Sequence, residues 1–122
     1  MSAVRVCELS HLLPERGVAA LIGGEQVAIF RLLDGTVRAV SQRDPFSGAN
    51  VMSRGIVGTR KGEPTVAAPM YKQIFSLDTG SCLDRAGYEP VDDDGDLRVW
   101  SASVIDGGVW VAPSTERAGL VA

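Results

Sequence analysis

Arg43–Asp84, RDPFSGANVMSRGIVGTRKGEPTVAAPMYKQIFSLDTGSCLD, carries two loop frames that decide the fold. Arg43–Gly48 (RDPFSG) has the form x-P-x-x-G. Ala68–Gly80 (APMYKQIFSLDTG) has x-P-x-x, then an aromatic at Phe75, then Asp-Thr-Gly as a tight turn. Proline fixes φ and glycine permits φ > 0, so these residues dictate loop shape rather than chemistry. Between and beside the frames, Ile56–Thr59, Thr65–Ala68 and Ile74–Leu77 are short strand candidates, with Lys61-Gly62 and Asp78-Thr79-Gly80 as turns.

The same rhythm continues outward. Val4–Cys7 alternates, and Ser10 to Pro14 follows as a turn or a single helical turn. Val18–Ile22, Gly23-Gly24 and Gln26–Leu32 form a hairpin, because paired glycines supply the positive φ of a two-residue turn. Asp34-Gly35 leads into Val37–Val40, and Gln42–Arg54 reads as a long loop. Leu97–Ile105 and Val109–Val111 make a last hairpin about Asp106-Gly107-Gly108, and Cys82 is a strand residue. No apolar period of 3.6 residues is sustained for three turns. The expected class is all-β, built from short antiparallel strands in stacked small sheets. Residues 1–112 are expected to form the domain, and 113–122, after the last strand pattern, a flexible tail.

At 122 residues with a formal charge of −3, the chain is one domain without the basic footprint of a nucleic-acid or anionic-membrane binder. No apolar run approaches the ~20 residues of a membrane span. MSAVRVCELS has neither the basic start nor the apolar stretch of a signal peptide, so a cytoplasmic location is expected. Cys7 and Cys82, far apart and outside any C-x-x-C, are expected to be reduced and to pack as small apolar residues.

In a Rieske-type [2Fe–2S] domain the corresponding frames read roughly C-P-H-x-G and C-P-x-H-G-x-x-F-x-x-x-T-G. Pro45, Gly48, Pro69, Phe75, Thr79 and Gly80 fall in place here, as does a closing Val-x-x-Asp-Gly-x-Val-x-Val pattern over Val104–Val111 with one extra glycine. Asp44 and Phe46 stand where the first Cys and His would be, and Ala68 and Tyr71 where the second pair would be. Such a cluster needs two thiolates and two imidazoles. The single histidine, His11, lies outside both frames.

D-P-F-S-G-A-N, S-R-G-I-V-G and P-x-Y-K-Q-x-F-S-L, with V-C-x-L…L-P-x-x-G-V-A-A-L at Val6–Leu21, resemble the small subunit of the assimilatory, cytoplasmic NAD(P)H-dependent nitrite reductase. That family has a Rieske-like domain in which the cluster ligands are lacking. Ile74 departs from it where His is common, and Tyr88–Asp96 is longer and more acidic than a typical final connection. The resemblance implies a cofactor-free accessory chain, without catalytic residues or metal ligands of its own. Its partner would be a large subunit carrying FAD, a [4Fe–4S] cluster and sirohaem, which reduces nitrite to ammonium with electrons from NAD(P)H. Two other readings stay open. One is a free-standing Rieske-fold binding or regulatory domain; the other is a Rieske ferredoxin, which the four substituted ligand positions oppose.

Within that frame, Phe46 and Tyr71 either contact the large subunit or fill the hole left by the cluster, since an empty cavity costs on the order of 1 kcal/mol or more. Arg43, Arg54, Arg60, Lys61 and Lys72 either form a positive tip facing an acidic partner patch or are scattered solvated charges. The candidate interface set is therefore Arg43, Phe46, Arg54, Tyr71 and Lys72. Asp44 with Tyr71 offers too few oxygens for a hard metal ion. Asp92, Asp94 and Asp96 begin like a calcium loop, but Leu97 and Ser103 stand where its Gly and Glu belong, so a solvated turn is expected. His11 has no nucleophile tied to it, and Gly23-Gly24 lacks the spacing of a phosphate loop.

Overall fold

Apolar runs cut by Gly-Gly, Asp-Gly and Lys-Gly turns become ten antiparallel strands in the structure, a computed structural model that describes residues 3–92 and 94–113. They are β1 (Val4–Glu8), β2 (Gly17–Ile22), β3 (Glu25–Arg31), β4 (Val37–Ser41), β5 (Ile56–Arg60), β6 (Glu63–Ala67), β7 (Ile74–Ser76), β8 (Cys82–Asp84), β9 (Val99–Ile105) and β10 (Gly108–Pro113). One sheet has the order β1-β10-β9-β4-β3-β2, and the other β5-β6-β7-β8. The small sheet is thus an insertion between two neighbouring strands of the large one, β4 and β9.

β3 explains how the layers stack. Val27, Ala28, Ile29 and Phe30 are all fully buried, although successive strand residues face opposite ways. Val27 and Ile29 join Leu12, Trp100, Val109 and Val111 in one core, enclosed where the large sheet curls on itself. Ala28 and Phe30 join Val66, Phe75 and Leu77 in a second core against the small sheet. The β3–β4 pair is therefore the middle of three layers. Burying each large apolar side chain contributes about 1.5–3 kcal/mol, so a strand buried on both faces anchors the whole assembly. Arg38 on β4 and Asp78 beyond β7 pair at 2.7 Å across the second core's rim.

The expected strands form, with local differences. Cys82–Asp84 is an edge strand that completes the small sheet. The last hairpin starts at Val99, because Leu97 is spent on the small sheet: its N–H donates to the Gly80 carbonyl at 2.8 Å. Gly80 has φ +79°, and a Cβ there would run into the Leu97 carbonyl, so the Thr-Gly of the second frame is a requirement of close approach. The tail is expected from 113, but Pro113 still pairs with Trp100 and closes β10; residues 114–122 lie outside the described residues. The loop before β5 contains a 3-10 turn, Met52–Arg54, whose Met52 is fully buried. Among the described residues, no helix is long and apolar enough to cross a membrane.

The small sheet's register gathers the loops. Ile56, Ala67, Ile74 and Asp84 pair in succession across one end of it. The loop entering β5, the β6–β7 connection and the loop leaving β8 all emerge there. Antiparallel pairing alone therefore brings three sequence-distant loops to one tip.

Candidate functional site

The first loop is closed by its own aspartate. Asp44 is fully buried, and its Oδ1 accepts the Phe46 N–H at 2.9 Å while Oδ2 accepts the Ser47 hydroxyl at 3.0 Å. Its backbone N–H donates to Ala49 O and its carbonyl accepts Gly48 N–H, both at 2.8 Å. This is the local competition that makes Asp a turn former, here turned inward. Gly48, at φ +78°, completes the bend. The loop aims Phe46 into the second core, where it is 3% exposed and meets Phe75 at 6.1 Å between ring centroids.

The second loop reverses through Ala68 and Lys72. Ala68 is fully buried in the same core; its N–H donates to Gln73 O at 2.8 Å, and its carbonyl accepts Lys72 N–H at 3.1 Å. Lys72 has φ +68°, at the position where the Rieske frame carries glycine. Met70, Tyr71 and Lys72 are left exposed on the outside of this turn. Gln73 is fully buried beneath it and donates from Nε2 to Arg85 O at 3.2 Å; its Oε1 has no partner among the described residues.

The third loop, leaving β8, straps over the other two. Val91 and Asp92 N–H both donate to Pro45 O, at 2.8 and 3.1 Å. Arg43 grips Asp92 with two bonds, Nε to Oδ2 at 2.8 Å and Nη2 to Oδ1 at 3.1 Å, and donates from Nη1 to Gly48 O at 2.8 Å. That hydrogen bond and the guanidinium charge hold the Asp92 carboxyl below its ordinary 3.8. Arg85 lies over the Phe46 ring, 6.0 Å from its centroid. Tyr88 stacks on Tyr71 with centroids 4.5 Å apart and planes 13° from parallel.

The acidic run is structural. Asp92 clasps Arg43, Asp94 Oδ1 accepts Asp96 N–H at 3.0 Å, and Asp96 Oδ1 accepts Cys82 N–H at 2.8 Å. Ser103 lies within β9 opposite Trp110, away from any loop a cation would need. The five cations of the sequence reading do not form one patch. Arg60 and Lys61 sit at the far end of the small sheet, and Arg43 is engaged with Asp92. Arg54 lines a hollow on the β2 side with His11 and Arg16. Of the candidate interface set, Tyr71 and Lys72 are displayed outward at the tip, Arg43 is exposed there but clasped to Asp92, and Phe46 is inside. Tyr88, Arg85 and Gln73 belong to the site without having been singled out from sequence; an aromatic in a Pro-containing loop was the one available signal.

The residues at the four ligand positions do not fit a [2Fe–2S] cluster. Asp44 has both oxygens bonded within its loop, Phe46 and Ala68 offer no donor, and Tyr71 is engaged with Tyr88. Cys7 in β1 and Cys82 in β8 lie on different sheets, and burial pushes both thiols up from 9.0.

Residues 2–112 match the family model for the Rieske-like [2Fe-2S] domain. The nitrite reductase (NADH) small subunit of Escherichia coli K12 is 41% identical over 105 residues, covering 85% of this chain and 91% of that one. A crystal structure from Mycobacterium tuberculosis, given as an NADH-dependent nitrite reductase small subunit, superposes with a TM-score of 0.80 at 49% identity, over 91% of this chain and 94% of that one. The nitrite reductase [NAD(P)H] large subunit of Klebsiella oxytoca contains a 106-residue segment that is 39% identical; it spans 87% of this chain and 10% of that longer one.

Proposed function

The chain belongs to the nitrite reductase small subunits, built on the Rieske-like [2Fe–2S] domain, and from that membership we propose that it is a cofactor-free accessory subunit of the cytoplasmic NAD(P)H-dependent enzyme that takes nitrite to ammonium. Its service is to nitrate and nitrite assimilation. The observation that carries the cofactor-free reading is the use of the four ligand positions to close the loops. Asp44 bonds its own turn, Phe46 and Ala68 fill the second core, and Tyr71 is stacked outside it. An electron-carrying ferredoxin needs the thiolates and imidazoles that these residues replace.

The partner is the large subunit, with FAD, a [4Fe–4S] cluster and sirohaem expected on that chain. A Klebsiella large subunit bearing a homologous segment within its own sequence supports this pairing, because in that protein both parts share one polypeptide. Docking is assigned to the three-loop tip. Tyr71 and Lys72 are presented outward, Phe46 and Arg43 hold the loops in shape, and Arg54 contributes charge from the flank. The chain stabilises and positions the large subunit, and its bound state shields redox centres from solvent. Affinity purification from cells grown on nitrate tests the assignment. A co-eluting flavin- and sirohaem-containing protein with NAD(P)H-dependent nitrite consumption is the expected result. Elution of this chain alone, with the reductase demonstrably present in the extract, rejects it.

A further inference from the structure

We infer that the large subunit grips this chain chiefly through an aromatic platform that the third loop completes: the Tyr71–Tyr88 stack, with Met70 and Val91 exposed on the same two loops. The inference rests on the docking role proposed above and names the surface that carries it. Tyr71 and Tyr88 are 37% and 46% exposed, and Met70 and Val91 are 51% and 62% exposed. Other exposed apolar side chains, such as Leu21, Leu33 and Ile105, sit on separate turns and strands. Single exposed leucines are ordinary on a protein surface, whereas a stacked, exposed aromatic pair joining two loops that each carry a further exposed apolar residue is a docking feature.

The platform is held rigid before any partner arrives. Tyr88 lies between anchors on both sides: Gln73 Nε2 binds Arg85 O, and Val91 and Asp92 are tied to Pro45 and Arg43. Downstream, Asp96 takes the Cys82 N–H and Gly95 packs beside Pro90 and Phe46. A loop with no ligand of its own has no need of so many ties, but a preorganised aromatic binds without losing rotamer freedom on contact. Tyrosine suits such a role, since its ring buries apolar area and its hydroxyl can remain hydrated or bonded at the rim. Lys72 follows Tyr71 on the exposed turn, so the complementary surface is an apolar recess with an acidic edge. The occupant is the large subunit rather than a second copy: this domain occurs inside a large-subunit chain, which places it beside that protein's remaining parts.

The test is a calorimetric titration of the full-length chain into its large subunit, purified from the same source with cofactors loaded. Wild-type association is expected, with a loss of at least about thirtyfold for Tyr71→Ser/Tyr88→Ser, a scale typical of paired interface hot spots. Val91→Asp, at an open position that folding tolerates, is expected to weaken binding about tenfold. Tyr71→Phe/Tyr88→Phe keeps the stack and stays within about threefold of wild type. A far-end variant, Arg60→Ser, at the opposite end of the small sheet, also stays within about threefold. Tight binding by both the double serine variant and Val91→Asp overturns the platform while leaving the subunit assignment standing. Absence of wild-type binding overturns both. A wild-type dimer that the double serine variant abolishes, with no effect on large-subunit affinity, reassigns the platform to self-association and overturns it equally.

Discussion

Replacing Asp44 by alanine isolates what holds the first loop in its cluster-like shape without a cluster. The substitution removes a fully buried carboxylate and leaves the Phe46 N–H without its 2.9 Å acceptor and the Ser47 hydroxyl without its 3.0 Å one. A hydrogen bond to a charged group contributes about 1.5–3 kcal/mol, and a buried donor left unpaired costs about 1–3 kcal/mol. These describe overlapping parts of one loss, so the expected destabilisation is about 2–3 kcal/mol, a large share of the ~5–15 kcal/mol typical of a domain. Asp44→Asn should cost less, about 1 kcal/mol, because Oδ1 persists and the Ser47 hydroxyl can rotate to accept from the new amide. Asp44→Cys, which restores the residue type of the metal-binding frame, should behave like alanine, since a thiol is a weak acceptor. Urea and thermal unfolding of the four proteins measure this directly. Alanine and wild type agreeing within 0.5 kcal/mol, or asparagine falling as low as alanine, would refute the claim that carboxylate bonds shape the loop (the ~0.5 kcal/mol limit is the scatter of ordinary surface changes).

Three further outcomes follow from the same geometry. Phe46→Ala should cost about 3 kcal/mol, the low end for a buried phenylalanine because the surrounding loops can partly collapse, and should lower the unfolding midpoint in denaturant without changing its slope. Lys72→Gly should raise stability by up to about 1 kcal/mol, read as a higher melting temperature, because Lys72 holds φ +68° at a cost that glycine avoids. The Arg43–Asp92 clasp should open in acid. Asp92 titrates below its ordinary 3.8 in the folded chain, so its contribution is complete above the unfolded carboxylate value and is lost as pH falls through the depressed folded one. Tyr88 ring resonances followed by NMR from pH 6 to 2.5 should shift in that acid range in wild type and lose the transition in Arg43→Ala; a transition centred above pH 5 contradicts it.

The frames were legible because they are backbone requirements. Pro45, Gly48, Pro69 and Gly80 record where φ is fixed or must be positive, and Gly80 also makes room for the Leu97 carbonyl. The hairpins about Gly23-Gly24 and Asp106-Gly107 followed from turn chemistry for the same reason. Tyr88 was not legible. Its stacking on Tyr71 depends on the strap that Asp92 and Pro45 hold in place, and no local period encodes that meeting. The acidic Asp92–Asp96 run read as a solvated turn, yet Asp92 and Asp96 each bond a different neighbouring segment. Arg54 looked like part of a positive tip by its nearness in sequence. The 3-10 turn at Met52–Arg54 instead sets it beside Arg16 and His11. Proximity along a loop gave no direction for a side chain.

The most direct test of a Rieske-like scaffold retained for docking rather than electron transfer is the iron and acid-labile sulfide content of this chain. It should be expressed with active cluster assembly and isolated without oxygen. A colourless protein with neither element above background is the predicted result. Two irons and two sulfides per chain, with visible absorption, would contradict it and return electron transfer to this subunit.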